Sequence, residues 1–96
     1  MSAFNSTDLL LLAPEDNCLV ACRHLNAGTT VWLDGQAVVL PQAVPLGYKV
    51  ARYELPAEQF VWRYGAFIGS TTQVVHAGEL LHVHNLKSHY LPHVKH

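Results

Sequence analysis

Glycine and proline interrupt this chain about every ten residues, and no stretch between them sustains a helical period. Segments so short suit strands, which usually run about five or six residues, better than helices with a buried face. They are also rich in Val, Leu, Trp and Tyr, side chains that pack well on a pleated surface. The chain is therefore read as all-β. Leu9–Leu12, Cys18–Cys22, Thr29–Leu33, Gln36–Leu40, Tyr48–Tyr53, Phe60–Tyr64, Ser70–Val75 and Leu80–Asn85 are the expected strands. Asp34-Gly35 between two of them is the strongest hairpin signal, because both turn residues need positive φ. Pro14-Glu15-Asp16-Asn17 reads as a polar turn, and a short helix within Ala13–Ala27 is the competing, less favoured reading.

An internal repeat orders these strands. Val31-Trp32-Leu33-Asp34-Gly35 returns thirty residues later as Val61-Trp62-Arg63-Tyr64-Gly65. Ala27-Gly28 and Ala57-Glu58 precede the two copies at the same offset. Val44-Pro45-Leu46-Gly47 and Val75-His76-Ala77-Gly78 follow at an offset of thirty-one. Two copies are too few for a solenoid, which needs at least about three. A compact module with pseudo-two-fold symmetry is expected instead. Trp32 and Trp62 hold equivalent places and read as paired core aromatics in preference to a sugar-stacking platform.

The chain has 96 residues, half of them apolar and 14% charged, which suffices for one domain with a real core. A net charge of −1 and the lack of a Lys/Arg cluster exclude a nucleic-acid footprint. The Leu9–Leu12 run is too short to span a membrane, and no signal peptide is evident, so a cytoplasmic protein follows by default. Cys18 and Cys22 form no disulfide framework and read as free reduced thiols.

Candidate chemistry concentrates near the C-terminus, where six of the seven histidines follow Val75. On a strand, His82 and His84 project to one face, where two imidazoles can supply two ligands to a divalent metal. From spacing alone a surface pair on an edge strand is the favoured reading, and the two imidazoles by themselves are not a complete metal site. Asn85 can orient a substrate hydroxyl or close a turn. Lys49, beside a glycine turn, can meet a substrate carboxylate as a point charge or stay solvated. Tyr64-Gly65 and Ile68-Gly69 read as bends or close backbone approaches. No catalytic triad or paired-carboxylate site is present, and the chain alone looks underequipped as an enzyme.

Several motifs follow one another in a characteristic order. They are Asp16-Asn17-Cys18-Leu19-Val20-Ala21, Ala27-Gly28-Thr29-Thr30-Val31, Pro45-Leu46-Gly47-Tyr48-Lys49-Val50-Ala51, Arg63-Tyr64-Gly65-Ala66-Phe67-Ile68-Gly69 and Ala77-Gly78-Glu79-Leu80-Leu81-His82-Val83-His84-Asn85. In this order they resemble the N-terminal SAF-type domain of the altronate dehydratase family, related to galactarate dehydratase and the small subunit of sulfolactate sulfo-lyase. The resemblance covers residues 8–87, with an N-terminal extension at 1–7 and a C-terminal tail at 88–96.

It implies a β-clip fold and a role as small subunit, or excised N-terminal domain, of a sugar-acid hydro-lyase beside a large dehydratase subunit. The tail after Lys87 favours the separate subunit. The resemblance further implies a sugar-acid substrate near Lys49 and Asn85. It also implies a divalent metal, Fe²⁺ or Mn²⁺, shared with the large subunit through His82 and His84. Two departures stand out: Tyr48 and Ala13 occupy positions where the family often has histidine. The rival expectations are a non-catalytic β-clip binding or assembly module and a metal-binding domain that uses the histidine-rich tail. Self-association is left open.

Overall fold

The computed structural model describes residues 8–88. The expected extension at 1–7, the tail from His89 onward and the tail-based metal site lie outside the described residues. Nine short strands and no helix are present among those described: β1 (Leu9–Leu10), β2 (Cys18–Ala21), β3 (Thr30–Leu33), β4 (Gln36–Val39), β5 (Lys49–Ala51), β6 (Phe60–Arg63), β7 (Ala66–Thr71), β8 (Leu80–Leu81) and β9 (Leu86–Ser88). The all-β expectation holds, and the alternative helix in 13–27 does not form.

Three antiparallel groups make up the fold. A central sheet has the order β1-β2-β5-β8, a two-stranded hairpin is β3-β4, and a three-stranded sheet is β6-β7-β9. Successive side chains of a strand face opposite ways, and the central sheet uses this to build two cores. Leu19 of β2, Val50 of β5 and Leu80 of β8 pack toward Val31, Leu33, Val38 and Leu40 of the first hairpin region. Their neighbours Cys18, Ala51 and Leu81 pack toward Val61, Ile68 and Leu86 of the second. Burial on both faces explains why these strands read as unbroken apolar runs rather than alternating ones.

The thirty-residue repeat corresponds to this arrangement. Each half contributes one hairpin closed by a two-residue turn with positive φ at both positions: Asp34 and Gly35 (52° and 83°), then Tyr64 and Gly65 (55° and 74°). These are type I′ turns, whose twist matches that of the flanking strands. The corner preceding each hairpin pairs with the one that follows it. Leu25 bridges Val44, and Leu55 bridges Val75, all four buried. Three residues beyond each bridging residue the chain enters positive φ, at Gly28, Gly47, Glu58 and Gly78.

Glu58 is the outlier among the four, at φ 63° with a Cβ. A left-handed L-residue costs about 1–2 kcal/mol. Glycine gives back part of that, about 0.5–1 kcal/mol, through its freer unfolded chain. Glu58→Gly is therefore expected to raise stability by about 0.5–1 kcal/mol. Urea denaturation checks this: the midpoint should rise with an unchanged slope.

Several strand expectations need correction. The strand expected at Ser70–Val75 is β7, Ala66–Thr71, because Gly65 closes a hairpin and the strand starts directly after it. The strand expected over Leu80–Asn85 ends at Leu81, and the chain then turns into β9. The expected turn forms at Pro14-Glu15, and the polar residues that follow it, Asp16 and Asn17, are buried.

Candidate functional site

The turn at residues 82–85 organises the site. Asn85 is buried, its side-chain amide donates to the Leu80 carbonyl at 2.8 Å, and its side-chain oxygen accepts from the His82 N–H at 2.9 Å. The His82 carbonyl in turn accepts from the backbone N–H groups of Asn85 and Leu86. Both polar atoms of Asn85 are thus engaged with its own loop, and the residue closes the turn. His82 and His84 consequently sit on an exposed turn and not on one strand face.

Of the two, His82 is drawn into the surface relief. It lines a cleft of about 240 Å³ with Lys49, Arg63, Ile68, Val83, Leu86 and Ser88. A neighbouring hollow of about 270 Å³ is lined by Gly47, Tyr48, Lys49 and His82. Lys49 and His82 form the ridge common to both. The Tyr48 ring packs against the His82 imidazole, with centroids 5.1 Å apart and the planes tilted by 36°. Lys49 projects here because it opens β5 directly after the positive-φ corner at Gly47. Arg63 comes from the end of β6, at the tip of the second hairpin.

Hydrogen bonds from the start of β2 clamp the hairpin that carries Arg63. Asp16, fully buried, accepts from the backbone N–H of Tyr64, from that of Gly65 at 2.8 Å and from that of Ala13 at 3.1 Å. Asn17 completes the clamp: its amide donates to the Phe60 carbonyl at 2.8 Å, and its oxygen accepts from the Trp62 N–H at 2.9 Å. The second hairpin, Arg63 included, is thereby pinned to the start of β2. Arg52 donates to the Pro14 and Asp16 carbonyls and pairs with Asp34, so the same segment also holds the first hairpin's tip.

Between these parts lies Cys18, whose thiol donates to the Trp62 carbonyl at 3.3 Å. Burial, reinforced by the Asp16 carboxylate and only partly offset by Lys49 and Arg63, pushes this thiol from 9.0 up to about 12. Because the folded value lies above the unfolded one, the stability it contributes is complete below about pH 9. That stability is lost as pH rises from there through about 12. Cys22 is exposed. Iodoacetamide at pH 8 should therefore alkylate Cys22 alone in the native chain and both thiols in denaturant, a difference intact-mass spectrometry reads directly.

With this geometry in place, comparison with known proteins gives a consistent result. A family model described as the altronate/galactarate dehydratase SAF domain matches residues 7–89. The chain belongs to this family. The SAF domain is 37% identical over 73 residues to altronate dehydratase of Escherichia coli (strain K12), and 30% identical over 74 residues to that of Bacillus subtilis (strain 168). These alignments cover 76% and 77% of the chain but only 15% of each relative. A third relative is the (2R)-sulfolactate sulfo-lyase subunit alpha of Chromohalobacter salexigens, 39% identical over 46 residues, covering 48% of this chain and 49% of that one.

In the SAF domain the candidates from the sequence separate. Lys49 and His82 meet in one cleft, whereas Asn85 supports the turn from below, and His84 does not line the cleft. Arg63 was not anticipated, since its place depends on the Asp16–Asn17 clamp far away in sequence. Among the described residues no group of three or more His, Cys, Asp or Glu is placed to hold a metal ion. The described residues thus place no third such donor beside His82 and His84.

The tryptophans also need correction. Trp32 is 61% exposed and Trp62 only half-buried, so neither is a core residue. Both lie on the outer face of their hairpins, where Phe60, Trp62 and Phe67 form an aromatic cluster with Phe67 at 4.8 and 5.6 Å from the other two rings. No helix among the described residues is long and apolar enough to cross a membrane.

Proposed function

We propose that this chain is the SAF module of a sugar-acid hydro-lyase of the altronate/galactarate dehydratase type, and that it completes the active site of a larger catalytic chain. The observation that carries this reading is the cleft, which is lined by Lys49, Arg63 and His82 and by no carboxylate among the described residues. Its setting adds support: the domain spans 15% of the altronate dehydratases it matches, and one relative is named as a subunit.

Dehydration of a sugar acid removes the proton α to the carboxylate and expels the β-hydroxyl, so negative charge builds on the carboxylate in the transition state. Fixed cations beside that carboxylate favour this charge, most strongly where water is excluded. Lys49 and Arg63 meet the acid, while His82, oriented by Tyr48, lies against its hydroxyl-bearing carbons. The module caps the partner's site and keeps bulk water out. A divalent metal, Fe²⁺ or Mn²⁺, would act as a Lewis acid in the assembled enzyme. His82 and His84 would supply two donors and the larger chain the rest.

Co-expression with a dehydratase-type large chain tests the reading. The two should co-purify and form 2-keto-3-deoxy acid from a sugar acid, with the 96-residue chain inactive alone. Lys49→Ala is expected to lower kcat/KM by about tenfold or more, as loss of one charge-assisted contact does. His82→Ala with His84→Ala should lower bound metal as well as turnover. Turnover by the isolated chain, or failure to associate, removes the proposal. The exposed aromatic faces favour a second reading, a non-catalytic β-clip assembly module. It predicts association with turnover indifferent to Lys49 and His82.

A further inference from the structure

The family covers acids of different charge, and the cleft carries information on which kind it suits. Five of the six Lys and Arg residues lie in the described part of the chain. Arg23 pairs with Asp8, and Arg52 pairs with Asp34. Lys49, Arg63 and Lys87 have no carboxylate partner among the described residues, and of these Lys49 and Arg63 line one small cleft. Two cations that line one cleft without a carboxylate of their own raise the local positive potential and favour an anion there.

The rest of the lining sharpens the point. Ile68 and Leu86 are half-buried apolar walls, Val83 is exposed at the rim, and the volume of about 240 Å³ lies below the roughly 300–1,000 Å³ of drug-sized pockets. Apolar walls weaken solvent screening and so strengthen each charge contact. The buried acid Asp16 already accepts from three backbone N–H groups, two of them at the second hairpin's turn. Lys49 and Arg63 stand on different strands, at the start of β5 and the end of β6, so they can address two separate acidic groups.

We propose that this cleft binds a small dianionic hydroxy acid, with one acidic group on Lys49 and the other on Arg63, and discriminates against monocarboxylates. The assignment of that acid as substrate rests on the dehydratase reading above. The binding preference stands on the cleft alone.

Titration of the isotope-labelled full chain, followed by NMR, tests it with galactarate as dianion, galactonate as the matched monoanion and inorganic phosphate as a simple-ion control. Galactarate should shift the resonances of Lys49, Arg63 and His82 and bind about five- to tenfold more tightly than galactonate, the gain expected from a second charge-assisted contact in a partly open site. Arg63→Ala should reduce galactarate to the affinity of galactonate and leave galactonate unchanged, while Lys49→Ala weakens both. The amide spectrum of each variant confirms its fold. Equal affinity for the two acids, no binding of either, insensitivity to Arg63→Ala, or phosphate matching galactarate would overturn the proposal. A failed association with a large chain would sink the dehydratase reading and leave this titration untouched.

Discussion

Asp16→Ala is expected to remove about 2–4 kcal/mol of stability, because it takes away a buried acceptor and strands the backbone N–H groups of Ala13, Tyr64 and Gly65 at once. An unsatisfied buried donor costs about 1–3 kcal/mol, and because water reaches these partly exposed groups once Asp16 is gone, each loss falls toward the lower end. A chain of this size has roughly 5–14 kcal/mol in total, so the loss takes a large share of it. Asp16→Asn keeps the shape and one acceptor oxygen but turns an N–H₂ toward a backbone N–H, so it should fall between wild type and alanine. Urea denaturation followed by tryptophan fluorescence ranks the three. Amides of Tyr64 and Gly65 should exchange faster in the variants. A midpoint for Asp16→Ala within error of wild type would show that the hairpin is held by its strands alone.

Gly69→Ala is expected to cost about 3 kcal/mol, the upper end for overpacking. A Cβ built on Gly69 lies 2.3 Å from the Lys87 carbonyl oxygen and 3.2 Å from the Ser88 Cα. Both obstacles are backbone, so no side-chain rotation relieves the clash. The strand β9 has to lift away from β7, breaking the pairing of Gly69 with Ser88, Ser70 with Lys87 and Thr71 with Leu86. Because Leu86 and Ser88 line the cleft, the damage reaches the site. Hydrogen exchange should show loss of protection in β9 ahead of β2 and β5. Normal protection there would mean the strand shifts along its partner without detaching.

Much of the architecture was legible in the residues. Asp34-Gly35 announced its hairpin because the turn chemistry is local, and the repeat placed Val31 and Val61 in corresponding positions. Tyr64-Gly65 reads as a bend or close backbone approach and not as a hairpin turn, since tyrosine gives no hint of positive φ. That misreading displaced the strand after it to Ser70–Val75. Gly69 was read as a bend or close approach, and its contact with β9 bears this out.

What stayed hidden was long-range. Asp16 and Asn17 look like any polar turn, yet their partners lie 43 to 49 residues away, and no local pattern reports such a bond. Trp32 and Trp62 were assigned to the core from their apolar neighbours. Strand alternation with Val31 and Val61 pointing inward places them outside. Lys49 and His82 were both singled out in the sequence, but their meeting depends on β5 pairing with β8, and Arg63 arrives only through the Asp16–Asn17 clamp.

The two halves cannot be separated, despite their likeness. Neighbouring residues along β2, β5 and β8 belong to opposite cores, so severing the chain between the repeats would leave each fragment with one wall of its interior missing. Melting should accordingly be a single event, with heat-absorption and spectroscopic midpoints that coincide, and neither thirty-residue copy should hold a structure when made by itself.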